Sequence, residues 1–448
     1  MSILNVNKIN PVGGGSTVTI AGIASVTNNI SVGNSVTAGS FVGPIEGNVT
    51  GNVTGNVTGD ATGLSGNPSI NTTGIVTATS FVPTVGQLSH RNIIINGDLR
   101  IAQRATSTTS NGYAFVDRFQ TNVSNLSTGG NVTRSQQSLS SSDTGPWQAG
   151  LRKYVRMATV AAGTAAATSA IDFYTHIEAQ DMANSGWDYN SASGEITLSF
   201  WFRCSANQTF YTYVRSRDGT QQGYTFAFTA SGNNTWTKIT HTLPGNSNIT
   251  FDDNNGEGLS IYWIPYYGTT YTNNKTLNTW AEHSGSNTSP DMQSTWLTSG
   301  AATWDITGIQ LEVGSVATPF EHRSFGDELR RCQRYYCKSY NYDVAPGTDT
   351  MVGSIWGRNY SDEGRSANTV NVKFPVTMRA TPTVTFRGVH SGATGKWCTG
   401  SSNPNNSNTD YDVNSIYDLG SNGFNSVSSS DVPAERFFGG HYEATAEL

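Results

Sequence analysis

Catalysis needs side chains that move protons, attack electrophiles or hold metals, and in this chain such residues are scattered. The seven histidines stand singly. No GxSxG elbow, HExxH pair, phosphate-cradling glycine loop or dinucleotide fingerprint is present. Glycoside cleavage would need two carboxylates about 5 to 10 Å apart across a cleft. Asp252, Asp253, Glu257 and Glu282 are of the right type, but their spacing along the chain does not fix that geometry. The expectation is a protein without enzymatic activity or cofactor. Asp252, Asp253 and Glu257 lie in TFDDNNGEG, a run of oxygen donors suited to a hard cation. It lacks the twelve-residue loop of an EF-hand, and the favoured reading is a hairpin turn with solvated acids, so no metal is expected. Cys332 and Cys337 sit five apart, a spacing that suits neither a metal site nor a disulfide across one helix.

Residues able to grip a ligand are more plentiful. Trp263, Tyr266 and Tyr267 cluster within WIPYY, with Trp280 nearby. Aromatic faces stack on the apolar faces of sugars while Asn, Asp and Thr bond the hydroxyls. Trp356, Trp397, Tyr411 and Tyr417 form a similar group near the C-terminus, among loop residues. All of these are glycan-binding candidates, and each is also the kind of residue that fills a β-sandwich core.

The elements that would carry these residues are β-strands. Charged residues make up 13% of the 448 residues and aromatics 10%, about half the usual charge content. Thr, Val, Tyr, Phe and Trp favour pleated sheet. The net charge is −6, without a long basic run, so nucleic acid and anionic membrane are not expected partners. No apolar run is long enough to span a bilayer. The N-terminus lacks a secretory pattern, which places synthesis in a cytoplasm.

Residues 1–90 have their own grammar. Lys8, Glu46 and Asp60 are their only charges, Phe41 and Phe81 their only aromatics. Gly47 to Gly59 reads GNVTGNVTGNVTG. Glycine at every fourth position excludes a stable helix and the triplet of collagen. In an extended chain a period of four keeps Val49, Val53 and Val57 on one face and the Asn and Thr residues on the other. One chain cannot bury so thin a stripe, whereas copies side by side can, in a thin intertwined rod; the plainer alternative is a flexible Gly/Thr linker, which would have no need of so strict a register. Flanking runs ISVGNSVTAGSFVG and INTTGIVTATSFVP align without gaps at an offset of forty, as in quasi-one-dimensional repeat structures.

Composition changes at His90. NIIINGDLRIAQR places Asn96-Gly97 between apolar runs, a hairpin signal. Short strands follow, among them Glu195–Arg203, Thr209–Arg215, Tyr224–Thr229, Thr235–Leu243 and Gly258–Ile264, and they predict a two-sheet sandwich. SFGDELRRCQRYYCKSY predicts a helix over Ser324–Tyr340. Strands resume beyond it, including two around Pro375 and Pro382 and a last one over His441–Leu448.

Taken together, LNVNKINPVGGGSTVTI, GNVTGNVTG and TGIVTATSFV resemble the N-terminal part of tail fibres of tailed bacteriophages, those of cyanobacteria in particular. RNIIINGDLRIAQRATS, YAFVDRF, LSFWFR and ITGIQLEVGSVATPFEHRSFGDELRRCQRYY resemble the middle domain of many such fibres, a domain similar to jelly-roll carbohydrate-binding modules. KFPVTMRATPTV and YEATAEL resemble the C-terminal module. The resemblance implies a homotrimeric virion appendage, attached to tail or adaptor proteins by its N-terminus and adhering to a host-surface glycan. It brings no catalytic residues. The expected architecture is mainly β: attachment region and first collar (1–46), repeat shaft and second collar (47–90), jelly-roll sandwich (91–323), helical connector (324–340) and C-terminal β-domain (341–448). The alternatives are a purely structural connector of the tail without its own receptor, and a polysaccharide depolymerase.

Overall fold

A computed structural model describes residues 90–126, 131–359, 366–400, 409–429, 432 and 436–448. They belong to one compact unit spanning Thr79–Leu448. The repeat shaft, both collars and the axis candidates Val49, Val53 and Val57 lie outside the described residues, as does the loop 401–408.

The protein is mainly β. The first module is a sandwich of two six-stranded antiparallel sheets. Its strands are β1 (Ser107–Thr108), β2 (Phe119–Ser124), β3 (Val132–Ser138), β4 (Lys153–Thr159), β5 (Ala170–Glu178), β6 (Glu195–Cys204), β7 (Asn207–Ser216), β8 (Gln222–Ser231), β9 (Thr237–Pro244), β10 (Glu257–Tyr267), β11 (Ala281–Glu282) and β12 (Thr303–Val313). One sheet runs β1-β3-β4-β12-β6-β9, the other β11-β8-β7-β10-β5-β2. All five strands expected here are present; four are extended by one to three residues at one or both ends, and β9 begins two residues later and ends one later than expected.

Between the sheets lies an aromatic core. Phe119 stacks on Phe173 at 4.8 Å, Phe202 meets Trp304 at 5.2 Å and Phe200 meets Trp263 edge-on at 5.8 Å. Each such side chain contributes roughly 1.5–3 kcal/mol by burial, with edge-to-face geometry adding about 0.5–1.5 kcal/mol per pair. Two short helices, α1 (Ala179–Ala183) and α2 (Thr295–Thr298), lie at its margins.

The Asn96-Gly97 turn forms, but no hairpin does. Asn96 takes φ +60° and is fully buried. Its side chain bonds Ile101 and the Asp117 carbonyl instead of leaving the backbone to pair with a second strand. Gly97 lies against β12, where the Ile309 N–H donates to its carbonyl at 2.8 Å, and a Cβ there would fall 2.0 Å from the Ile309 oxygen.

The helix is also shorter than its pattern. α3 covers Phe325–Gln333, capped by Ser324, whose Oγ accepts from the Asp327 N–H. Residues 336–338 form a strand, β13 (Tyr336–Lys338), paired with the last strand of the chain. The apolar run Tyr335-Tyr336-Cys337 is buried by neighbours on both sides, so tertiary pairing overrides helical continuation.

The second module comprises β13, β14 (Ile355–Asn359), β15 (Ser366–Lys373), β16 (Thr383–Arg387), β17 (Lys396–Gly400), β18 (Asp410–Asp412), β19 (Ser415–Tyr417), β20 (Gly423–Ser429) and β21 (Phe437–Thr445). β21 is the hub, hydrogen-bonded to β13, β14, β16 and β17. Gly439 and Gly440 make this possible, since a Cβ at Gly440 would lie 2.2 Å from the Trp397 ring. All four cysteines are free and buried. No helix among the described residues is long and apolar enough to cross a membrane.

Candidate binding face

The two faces of the β2-containing sheet differ. On β10, Leu259, Ile261 and Trp263 enter the core, so Ser260 and Tyr262 point away from it. The same alternation on β5 sends Phe173 inward and Asp172, Tyr174 and His176 outward; on β7 it sends Val214 inward and Tyr211, Tyr213 and Arg215 outward.

Strand register then assembles rows. Tyr262 lies opposite Tyr174 on one side and Tyr213 on the other. The Tyr174 and Tyr262 rings stack at 4.8 Å with 22° between planes, and Tyr213 lies 6.1 Å from Tyr262. Tyr174 and Tyr262 remain half-buried. The next row is Arg215, Ser260 and His176, also in register. Beyond Tyr174, Gln120 accepts from its hydroxyl at 2.8 Å. A loop carrying Leu277 and Met292 packs over Tyr211 and Ile264 and walls one end of the face.

Polar groups surround the rings. Asp172 is buried and accepts from the Tyr267 hydroxyl (3.0 Å) and the Asn122 amide (3.3 Å). Burial pushes its carboxyl up to about 6, against these two hydrogen bonds. His176 Nδ1 lies 2.6 Å from Ser260 Oγ. Burial, with Arg217, Arg118 and Arg215 adding repulsion, lowers this imidazole to about 3, so it is neutral at pH 7. The Tyr213 hydroxyl lies 2.6 Å from His283 Nδ1, and burial with three nearby cations lowers His283 to about 4. Tyr213, His176, Ser260 and Asp172 are buried, so the part of the face open to a ligand is the Tyr174–Tyr262 pair with Arg215 beside it, an aromatic patch of the kind that stacks on a sugar ring.

The sequence candidates are distributed otherwise. Trp263 is fully buried in the sandwich core and Tyr266 nearly so. Trp280 is buried against Tyr224 and donates to the Pro244 carbonyl at 2.7 Å. Trp397 is fully buried, its indole N–H on the His441 carbonyl at 2.8 Å. Tyr411 lies opposite Trp397 and packs on the core of the second module. Trp356 is half-buried on β14 and donates to Ser354 Oγ at 2.8 Å. Of the group, Tyr267 alone belongs to the tyrosine face, through Asp172. Tyr174, Tyr213 and Tyr262 were not singled out in the sequence, although the alternation in DFYTHIE, TFYTYVR and LSIYWI carries them.

The three acids do not converge on a cation site. Glu257 pairs with Arg217, Asp253 accepts from the Asn184 amide at 2.9 Å, and Asp252 accepts from the Asn254 amide at 3.4 Å. Among the described residues no group of three His, Cys, Asp or Glu side chains is placed to hold a metal.

No family model matches the chain, and no curated protein matches it in sequence. Parts of solved structures are similar. The enzymatically active domain of tailspike protein 4 from bacteriophage CBA120 is 9% identical, with a TM-score of 0.27, over 50% of this chain and 21% of that one. The family 11 carbohydrate-binding module of Clostridium thermocellum Lic26A-Cel5E is 12% identical over 49% of this chain and 98% of that one, with a TM-score of 0.23. The N-terminal cellulose-binding domain of Cellulomonas fimi beta-1,4-glucanase C is 10% identical over 48% and 97%, also with a TM-score of 0.23. The matched region is thus about a fifth of the tailspike chain and nearly all of each binding module. Likeness of this degree assigns neither ligand nor activity to this chain.

Proposed function

We propose that this protein is a trimeric tail fibre of a bacteriophage virion that adheres to a bacterial surface glycan through the outer face of its sandwich. The observation that carries the glycan reading is the in-register row Tyr213–Tyr262–Tyr174, with two rings half-buried and hydrogen-bonding side chains at its edges. Trimerism and the virion setting rest on the GNVT repeat and the fibre resemblance of the sequence. Three copies of a weak site raise avidity by effective concentration without any new contact. The fibre binds and does not cleave; release of oligosaccharide from host polysaccharide would instead identify a depolymerase.

The full-length chain should sediment as a trimer and bind host envelope polysaccharide. The double variant Tyr174→Ala/Tyr262→Ala should lose that binding while still unfolding in a cooperative thermal transition, at a somewhat lower temperature. A second reading, a connector of the tail without a receptor, is favoured by the burial of Trp263, Tyr266, Trp280 and Trp397 and by the internal hydrogen bonds of Tyr174 and Tyr213. It predicts no envelope binding, and adsorption of virions unchanged by the same double variant.

A further inference from the structure

Beside the tyrosine row the face turns basic. Arg215 and Arg217 are two apart on the same side of the β7 backbone as Tyr213, and the Arg217 N–H prolongs the ladder by donating to the Gly258 carbonyl at 2.8 Å. Arg217 pairs with Glu257. Arg215 reaches only the uncharged Gln221, with Nε 2.7 Å from its Oε1. Directly opposite Arg215 on β8 stands Gly223. Over that glycine converge the Tyr213 ring, whose hydroxyl would meet any Cβ there, and Lys275, whose Nζ lies 3.4 Å from the Gly223 carbonyl. Lys275 is only 7% exposed. Among the described residues neither Arg215 nor Lys275 forms an ion pair.

Lys275 is a buried cation without an ion pair, which is costly because a buried charge ordinarily requires a partner; Arg215 is half-buried beside it, with Glu257 engaged by Arg217. Their field is felt locally. After burial, the charges of Arg215, Arg217 and Lys275 are what hold the His283 imidazole neutral, and burial followed by the Arg217 charge lowers the proton affinity of Arg215. The chain as a whole carries −6, so this positive cluster runs against the global charge.

We infer that the face takes an acidic glycan, with the anionic group of a sugar residue seated between Arg215 and Lys275 and the neighbouring ring against Tyr262. This rests on the glycan reading above and narrows its ligand class. A planar guanidinium suits carboxylate or sulfate oxygens, and the ammonium adds a second donor group. Uronic acids and sulfated sugars share the chemistry.

Affinity electrophoresis of the full-length chain through gels holding polygalacturonate, dextran sulfate or uncharged dextran separates the cases. The expected result is retardation by one or both acidic polymers, weaker or none by dextran, and weakening in 0.5 M salt. Retardation by polygalacturonate identifies a carboxylate ligand, and by dextran sulfate a sulfate ester. Arg215→Gln/Lys275→Gln should reduce affinity for the acidic polymer about tenfold or more, the scale of one lost charge-assisted hydrogen bond. It removes the unpaired buried charge of Lys275 together with a half-buried one, so its thermal transition should not fall. Arg215→Gln alone, at a half-buried position, gives an independent check. Equal retardation by dextran, or unchanged acidic binding in both variants, overturns the inference. If Tyr262→Ala then abolishes dextran binding, the glycan reading survives without it. If no polymer and no host envelope fraction binds, the glycan reading falls as well.

Discussion

Neighbouring residues can have opposite fates, as Tyr262 and Trp263 do: one edge of a pleat faces outward and the other fills the core. Trp263→Ala should lower stability by about 3–5 kcal/mol in urea titration, through lost burial and the cavity left behind. Tyr262→Ala should cost less in stability and more in glycan binding. Asp172 gives a pH signature. Its carboxyl is raised from 3.8 to about 6 by burial, so between those values the folded chain holds more protons than the unfolded one. Its contribution to stability is therefore fully present below about pH 4 and falls as pH rises through 6. His176, lowered to about 3, works the other way and loses stability as pH falls below 6.5. Replacing Asp172 by Asn should remove the first slope and leave the second, which unfolding midpoints measured from pH 4 to 7 would display. An unchanged slope would mean that Asp172 is ionised throughout.

Elements owe their limits to their surroundings. α3 begins where Ser324 Oγ accepts from Asp327, and Ser324→Ala should cost about 1 kcal/mol by removing that cap. It ends early because Tyr336–Lys338 finds partners on β21. β21 can serve four neighbours only because two of its residues lack side chains. Gly440→Ala would drive a methyl into the Trp397 ring and the Arg387 carbonyl, both rigidly held. Its melting temperature should fall well below that of Ser324→Ala, by calorimetry on the two variants.

In the compact unit the two modules are joined by buried ion pairs. Arg118 and Arg104 both grip Glu447, two residues past the end of β21, while their guanidiniums lie 3.4 and 3.6 Å over the rings of Tyr335 and Tyr336. Arg334 makes a two-pronged pair with Glu178, at 2.8 Å for each bond. Arg379 exchanges bonds with Asn255 and holds the Ala446 and Glu447 carbonyls. Glu447→Ala leaves buried Arg118 without an acid and Arg104 with only Asp117 at 3.9 Å, and breaking a buried pair in this way costs about 3–5 kcal/mol. The expected calorimetric result is a lower transition that splits in two, as the modules cease to unfold together. A single unshifted transition would show the pairs to be dispensable. Coupling of this kind would let force or binding at one module reach the other without slack.

Alternation, composition and turn residues determined a great deal locally: the β class, five sandwich strands, the two strands flanking Pro375 and Pro382, and the start of the helix at Ser324. Those signals act within a few residues, so they survive without knowledge of the fold. Which side of a strand faces water is different, because a shift of one residue exchanges the faces. A register shift between Trp263 and Tyr266 reverses the parity of β10, so that both residues point inward although three apart. The sequence therefore announced an aromatic cluster, and only the pairing of β10 with β5 and β7 decided that its neighbours Tyr174, Tyr213 and Tyr262 would form the outward row. In the same way, NG promised a turn and obtained one, while the hairpin around it gave way to a glycine docked on β12. Parity and docking depend on partners distant in the chain, and only tertiary structure supplies them.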